Sequence, residues 1–287
     1  MWRADGLATS ADGTRLAVYL STTAVDGPIV LFVHGWAQSA ECFRRQLGDG
    51  ALAGRYRLAA LDLRGHGASD VPPAGYTDPA VWAADLTAVL RALPDRPVVL
   101  VGWSYGGLVI ADHLAECGPG RIAGVVLVSA ITGIGRGQPA GRVGPVMRSA
   151  LPASLAEDPA VALPALSEFV AGMTPAALPG AEAQRLLGTS LATPPRVRAA
   201  LFDRVTDGSA FAGVAAAARL PVLVLHGTED RVVDPATAEH HLATIPGACA
   251  DWWTGHGHLP FLEDEHRFAA ALDAFVTRCL EAGGAPT

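Results

Sequence analysis

Long apolar runs, basic clusters and paired cysteines are all missing from this 287-residue chain. No uninterrupted hydrophobic stretch approaches the roughly 20 residues that span a bilayer, so no membrane-crossing helix is expected. The opening MWRADGLATSADG has no apolar core of the kind a secretory leader carries. Only 17% of residues are charged, and 21 cationic against 28 acidic side chains give a formal charge of −7. With no basic run, the electrostatic footprint of a nucleic-acid binder is absent. The four cysteines (Cys42, Cys117, Cys249 and Cys279) are scattered and form no C-x-x-C. Reduced thiols in a cytoplasmic protein are the expectation. Oligomeric state leaves no trace in the sequence.

What is present is a folded-protein composition, half of it hydrophobic, arranged in an alternating rhythm. Asp12-Gly13 marks a hairpin turn before the strand-like Arg15–Leu20. Pro28–Val33, Arg57–Leu61, Pro97–Val101 and Gly124–Ser129 are short apolar runs without polar alternation, as strands buried on both faces require. Helical patterns separate them. Asp78 and Pro79 suit the N-cap and first turn of one helix, whose Val81, Asp85, Leu86, Val89 and Leu93 recur at helical spacing with one polar position. This alternation predicts a mainly parallel sheet covered on both faces by helices.

The rhythm breaks at about Gly133. From 133 to 219 no strand is convincing, and Ala-rich helical pieces follow cap-like pairs at Asp158-Pro159, Thr174-Pro175 and Thr193-Pro194. We read 133–219 as a helical lid inserted into a core made of 1–132 and 220–287. The alternation resumes with Pro221–Leu225, a helix after Asp234-Pro235, a strand near Ala248–Trp253 and a last helix from about Asp264 to Leu280. Gly283–Thr287 is expected to fray.

Gly102-Trp103-Ser104-Tyr105-Gly106 fits G-x-S-x-G directly between an apolar strand and a helix. A sharp turn there lifts the Ser104 hydroxyl out of the sheet beside the free N–H groups of a helix start. A serine hydroxyl needs a base to act as nucleophile. The same turn supplies the Tyr105 N–H as one oxyanion donor.

Four motifs now stand in one order: His34-Gly35-Trp36, the RGHGASD segment Arg64–Asp70, the Ser104 elbow, and Gly255-His256-Gly257-His258. Over nearly its whole length the chain resembles the α/β-hydrolase superfamily. The resemblance implies Ser104 as nucleophile, Asp230 as acid in His226-Gly227-Thr228-Glu229-Asp230, and His258 as base, with Glu229 and His256 as rivals. It implies the Trp36 N–H as the second oxyanion donor, with its indole toward the substrate. It makes Arg64–Asp70 a structural loop. Dehalogenases and epoxide hydrolases of the superfamily carry Asp at the elbow, so Ser104 argues against both activities. His240, His241 and His266 are expected on solvent-facing helix surfaces, and His113 in a structural role. No catalytic metal or cofactor is implied, since no carboxylate or cysteine accompanies His256 and His258 at ligand spacing.

The expected activity is hydrolysis of an ester, thioester or lactone of a small hydrophobic substrate through an acyl-enzyme. Trp36, Trp103, Met147, Phe169, Met173, Phe211 and Leu259 are candidates for lining its chamber. The same residues would also serve a cofactor-free perhydrolase of the haloperoxidase type, a carbon–carbon bond hydrolase, or a biosynthetic cyclase or lactonase. A non-catalytic ligand-binding member is the reading from another class.

Overall fold

The computed structural model describes residues 4–23 and 25–284. Met1–Arg3, part of the opening searched for a leader, and Ala285–Thr287 of the expected frayed tail lie outside the described residues. Gly283 and Gly284 belong to the last helix, not to a tail.

Eight strands form one sheet: β1 (Gly6–Thr9), β2 (Arg15–Leu20), β3 (Ile29–Val33), β4 (Arg57–Leu61), β5 (Val98–Trp103), β6 (Ile122–Val128), β7 (Val222–Gly227) and β8 (Cys249–Trp253). Their spatial order is β1-β2-β4-β3-β5-β6-β7-β8. The β1–β2 hairpin and the β2–β4 pair are antiparallel, and every pair from β4 onward is parallel. The apolar runs mark the centre: every residue of β3, β5 and β7 is buried.

Around the sheet lie α1 (Arg44–Leu47), α2 (Gly50–Ala53), α3 (Pro79–Ala92), α4 (Tyr105–Cys117), α10 (Ala236–Thr244), α11 (Pro260–Glu263) and α12 (Glu265–Gly284). Between β6 and β7 come α5 (Pro145–Ser154), α6 (Pro159–Ala171), α7 (Gly180–Ala192), α8 (Pro195–Ala200) and α9 (Ser209–Ala217). The Asp78 and Asp158 carboxylates accept the amides of Ala80 and Ala160, each capping a helix that starts with proline. Thr174-Pro175 opens no helix. Its hydroxyl turns back to the Ala176 carbonyl instead, and α7 starts only at Gly180.

The chain leaves β3 for β4 on one side and returns through β5 on the other. The carboxyl ends of β3 and β5 therefore face a crevice where successive connections diverge, the usual location for a ligand in such sheets. Both the His34-Gly35-Trp36 loop and Ser104 sit there.

Several buried polar contacts hold this end together. Asp62, at the end of β4, accepts the amides of Ala40 and Ala68 and the Tyr19 hydroxyl, each at 2.7 Å. His34 donates through Nδ1 to the Gly35 carbonyl (2.8 Å) and accepts the Leu63 amide at Nε2 (3.0 Å). The RGHGASD loop is thereby bolted to the loop after β3. Arg64, fully buried, forks onto Asp85 of α3 with two 2.6 Å bonds. Asp85 is the polar position that interrupted that helix's apolar stripe.

Burial pushes the His66 imidazole down to about 3, helped by its neighbour His34. The folded state therefore keeps His66 neutral, while the unfolded chain takes up a proton near 6.5. Stability from this residue is complete above that value and is lost as pH falls toward 3. Between pH 7.5 and 4.5 the wild type should lose about 3 kcal/mol more than His66→Gln, read from urea unfolding at each pH. Equal losses in both proteins would exclude a buried neutral His66.

Candidate active site

Ser104 joins β5 to α4 with φ +54° and ψ −121°. This is backbone that a side chain adopts only under constraint, and the neighbours supply it. A Cβ on Gly106 would stand 2.1 Å from the Val33 carbonyl oxygen, so only glycine lets α4 start this close to β3. The loop after β3 also comes close: a Cβ on Gly35 would lie 3.0 Å from the Ser104 Cβ and 3.4 Å from its Oγ. The Ser104 hydroxyl donates to no group among the described residues. The amides of Trp36 and Tyr105 likewise find no acceptor there. The residue after this hydroxyl thus has an open N–H, and a second open N–H follows Gly35, which itself approaches Ser104.

His258 follows β8, buried and fixed from several sides. Its amide donates to the Met173 carbonyl (2.7 Å), and its carbonyl accepts the Trp103 indole N–H (2.9 Å). The Glu263 carboxylate accepts the amides of Gly257 and Leu259, one on each side of the histidine. Glu263 thus clamps the loop from the short helix α11 that follows it.

Asp230 holds the ring. Its Oδ2 lies 2.8 Å from His258 Nδ1, while Oδ1 accepts the amides of Val232 (2.8 Å) and Val233 (3.0 Å). A second imidazole, His226 Nε2, stands 3.2 Å from the same Oδ2. Burial works against charge on Asp230, but the two imidazoles outweigh it and hold the carboxyl well below its ordinary value. With Nδ1 committed to Asp230, Nε2 is the nitrogen of His258 left for proton transfer. The rivals lie elsewhere. Glu229 is exposed, and His256 turns its Nδ1 to the Thr254 carbonyl and its ring onto Trp253.

The remaining candidates divide. Trp36 is nearly buried. Its indole N–H donates to the Arg198 carbonyl (2.9 Å), and its ring meets Phe169 and Phe202 edge-on. Met147 of α5, Phe169 of α6 and Met173 just after α6 are buried. Trp103 is buried, its ring 5.4 Å from that of His258. It packs edge-on against Phe43 and Phe261 beneath the histidine loop, where Leu259 is also buried. Phe211 faces a different crevice of about 500 Å³, walled by Thr132, Ala140 and His240, because α9 packs there rather than over Ser104. His241 is a second correction: it is buried, with Nε2 2.9 Å from the Thr132 hydroxyl, and does not face solvent.

Arg204 was not singled out by any motif. It is buried, grips both oxygens of Asp112 at 2.6 and 2.8 Å, and donates to the Tyr105 hydroxyl at 3.0 Å. It thereby braces the residue after Ser104. Burial raises the Asp112 carboxyl to about 6, and the guanidinium pulls against that rise. Arg204→Met should cost about 3 kcal/mol at pH 7.5, because the carboxylate is left buried and unpaired. The loss should shrink at pH 5.5, where Asp112 takes up a proton. Urea unfolding at the two pH values checks this, and a pH-independent loss would contradict it.

The sequence model described as "Alpha/beta hydrolase family" matches residues 30–271. An esterase from Rhodococcus sp. ECU1013 superposes with a TM-score of 0.88 and 46% identity, over 95% of this chain and 98% of that one. The chain is 30% identical to a pimeloyl-[acyl-carrier protein] methyl ester esterase of Stenotrophomonas maltophilia, over 90% of its own length and 96% of that protein's. It is 42% identical to a non-heme chloroperoxidase of Streptomyces lividans over 126 residues, a match that spans only 45% of that relative.

Proposed function

Because the chain belongs to the alpha/beta hydrolase family, we propose that it is a serine esterase acting on a small carboxylic ester, thioester or lactone through an acyl-enzyme. One observation carries the reading: a strained Ser104 at the head of α4, tied through Trp103 to a histidine whose Nδ1 rests on a buried carboxylate.

In the proposed mechanism, Nε2 of His258 takes the Ser104 proton as Oγ attacks the substrate carbonyl. Nucleophile–base hydrogen bonds are often loose without substrate and tighten in the complex. The Tyr105 and Trp36 amides hold the oxyanion. Asp230 stabilises the imidazolium without accepting its proton. The imidazolium protonates the leaving alcohol or thiol. Water, deprotonated by the same nitrogen, then attacks the acyl-enzyme, releasing the acid and restoring Ser104. The segment 133–219 is the proposed lid, hung on the core through Trp36–Arg198, Arg204–Asp112 and His258–Met173. Support comes also from the Rhodococcus esterase, similar along almost the whole chain. No helix among the described residues is long and apolar enough to cross a membrane.

Labelling with a fluorophosphonate, followed by peptide mapping, tests the reading. The adduct is expected on the peptide containing Ser104, with turnover of p-nitrophenyl butyrate lost in proportion. An active enzyme that takes no label there would overturn it. The segment shared with the chloroperoxidase favours one second reading: hydrogen peroxide replaces water at the acyl-enzyme and gives a peracid. Acetate, peroxide and a bromination indicator distinguish it.

A further inference from the structure

Beside the elbow a crevice of about 740 Å³ opens between the 131–151 segment and Phe202. Its apolar wall includes Ile131, Leu151 and Phe202, and Arg136, Arg142 and Arg148 also line it. The wall adjoins the reaction centre at two points. The Ile131 amide donates to the Ser104 carbonyl at 3.1 Å, and Phe202 meets the Trp36 ring edge-on at 5.6 Å.

The three arginines line one and the same crevice. The sequence contains no lysine, so all 21 of its cationic side chains are arginines, outnumbered by 28 acids. Eight arginines (Arg15, Arg45, Arg55, Arg64, Arg96, Arg185, Arg204 and Arg267) are within ion-pair distance of a carboxylate, and the other described arginines, these three among them, are not. Arg136, Arg142 and Arg148 are exposed, and among the described residues none is ion-paired. Arg148 spends one donor on the Val143 carbonyl, and the guanidinium groups of Arg136 and Arg142 make no hydrogen bond. Asp234 lines the same crevice, but its Oδ1 accepts the Ala236 amide and it pairs with none of the three. Three guanidinium forks with open donors beside an apolar wall, with Gln138 and Asp234 as the other polar side chains of the crevice, suit a carboxylate or phosphate.

We propose that this crevice binds an anionic end of the substrate, carboxylate or phosphate, remote from the scissile carbonyl. The apolar spacer between them lies along Ile131, Leu151 and Phe202. The inference rests on the reading of Ser104 as nucleophile and adds the substrate class that reading leaves open.

Monomethyl esters of straight-chain dicarboxylic acids of increasing length would be compared with the same esters bearing a terminal carboxamide, and with phosphate-terminated analogues. At one spacer length the kcat/KM ratio of anionic to neutral ester is expected to reach about tenfold at low salt, the scale of several exposed ion pairs acting together. It should fall toward one in 1 M salt and in the triple variant R136Q/R142Q/R148Q. R91Q, altering an arginine on α3 outside the crevice, should keep it. A ratio near one at every length with both anions, or a preference that survives the triple variant, would overturn the proposal while leaving the esterase reading intact. If Ser104→Ala cleaves the neutral ester as fast as wild type, the esterase reading fails instead. Calorimetric binding of the free dicarboxylate and phosphate-terminated acids then still decides the crevice. Binding lost in the triple variant supports it, and no binding to the wild type sinks it.

Discussion

Ser104→Ala should lower kcat for p-nitrophenyl butyrate by about 10⁴-fold or more while leaving the protein folded. The substitution removes the proposed attacking atom and leaves His258, Asp230 and the open amides untouched. Residual turnover would come from those amides acting on bound ester and water. Stability should barely change, because the hydroxyl makes no hydrogen bond to the described residues and its loss orphans nothing. Ser104→Gly separates chemistry from strain. Backbone at φ +54° and ψ −121° costs a side-chain-bearing residue about 1–3 kcal/mol, whereas glycine's extra entropy in the unfolded chain costs about 0.4–1 kcal/mol. The glycine variant should therefore be equally inactive yet at least as stable as the alanine variant, by urea unfolding. Activity within tenfold of wild type in either would remove Ser104 from the chemistry.

The parts legible in the sequence are those written in neighbouring residues. The elbow shows because its strand, its glycines and its helix occupy one stretch, Val98–Cys117. The central strands show because burial on both faces forces unbroken apolar runs. Asp78 and Asp158 show because a cap and its helix are adjacent. What stayed hidden is held by partners distant along the chain. Asp85 looks like a flaw in an apolar stripe until Arg64 is placed against it. Arg204 gains a purpose only from Asp112 and Tyr105, about a hundred residues earlier. His241 carries a helical pattern that reads as surface, but Thr132 reaches it from the end of the sheet.

The lining residues were the least legible for the same reason. A phenylalanine in an Ala-rich helix has the same periodicity whether it faces a substrate or another helix. Phe169 and Phe211 are alike in sequence. α6 lays Phe169 against Trp36, while α9 turns Phe211 toward a crevice shared with His240. Trp103 misleads differently. Its position next to Ser104 suggests substrate contact, while alternation along β5 sends its ring under the histidine loop.

Asp230→Asn should reduce kcat by about 10⁴-fold with the site geometry nearly preserved. The reason lies in how the four donors divide between the two oxygens. Oδ1 faces the Val232 and Val233 amides, and Oδ2 faces His258 Nδ1 with His226 Nε2 close by. An asparagine can satisfy two fixed backbone N–H groups only with its carbonyl oxygen, so its NH₂ must turn toward His258. That NH₂ requires Nδ1 to become an acceptor and moves the ring proton to Nε2. A histidine protonated at Nε2 cannot take the Ser104 proton, and the nucleophile stays neutral. Fluorophosphonate labelling should slow in parallel with kcat, because both need the same deprotonation. Glu229→Gln is the matched control: it changes a carboxylate one residue away that is exposed and bonds neither imidazole. If the glutamine variant lost as much activity as the asparagine variant, or if Asp230→Asn kept a tenth of the wild-type rate, the acid would have to be sought elsewhere in the loop after β7.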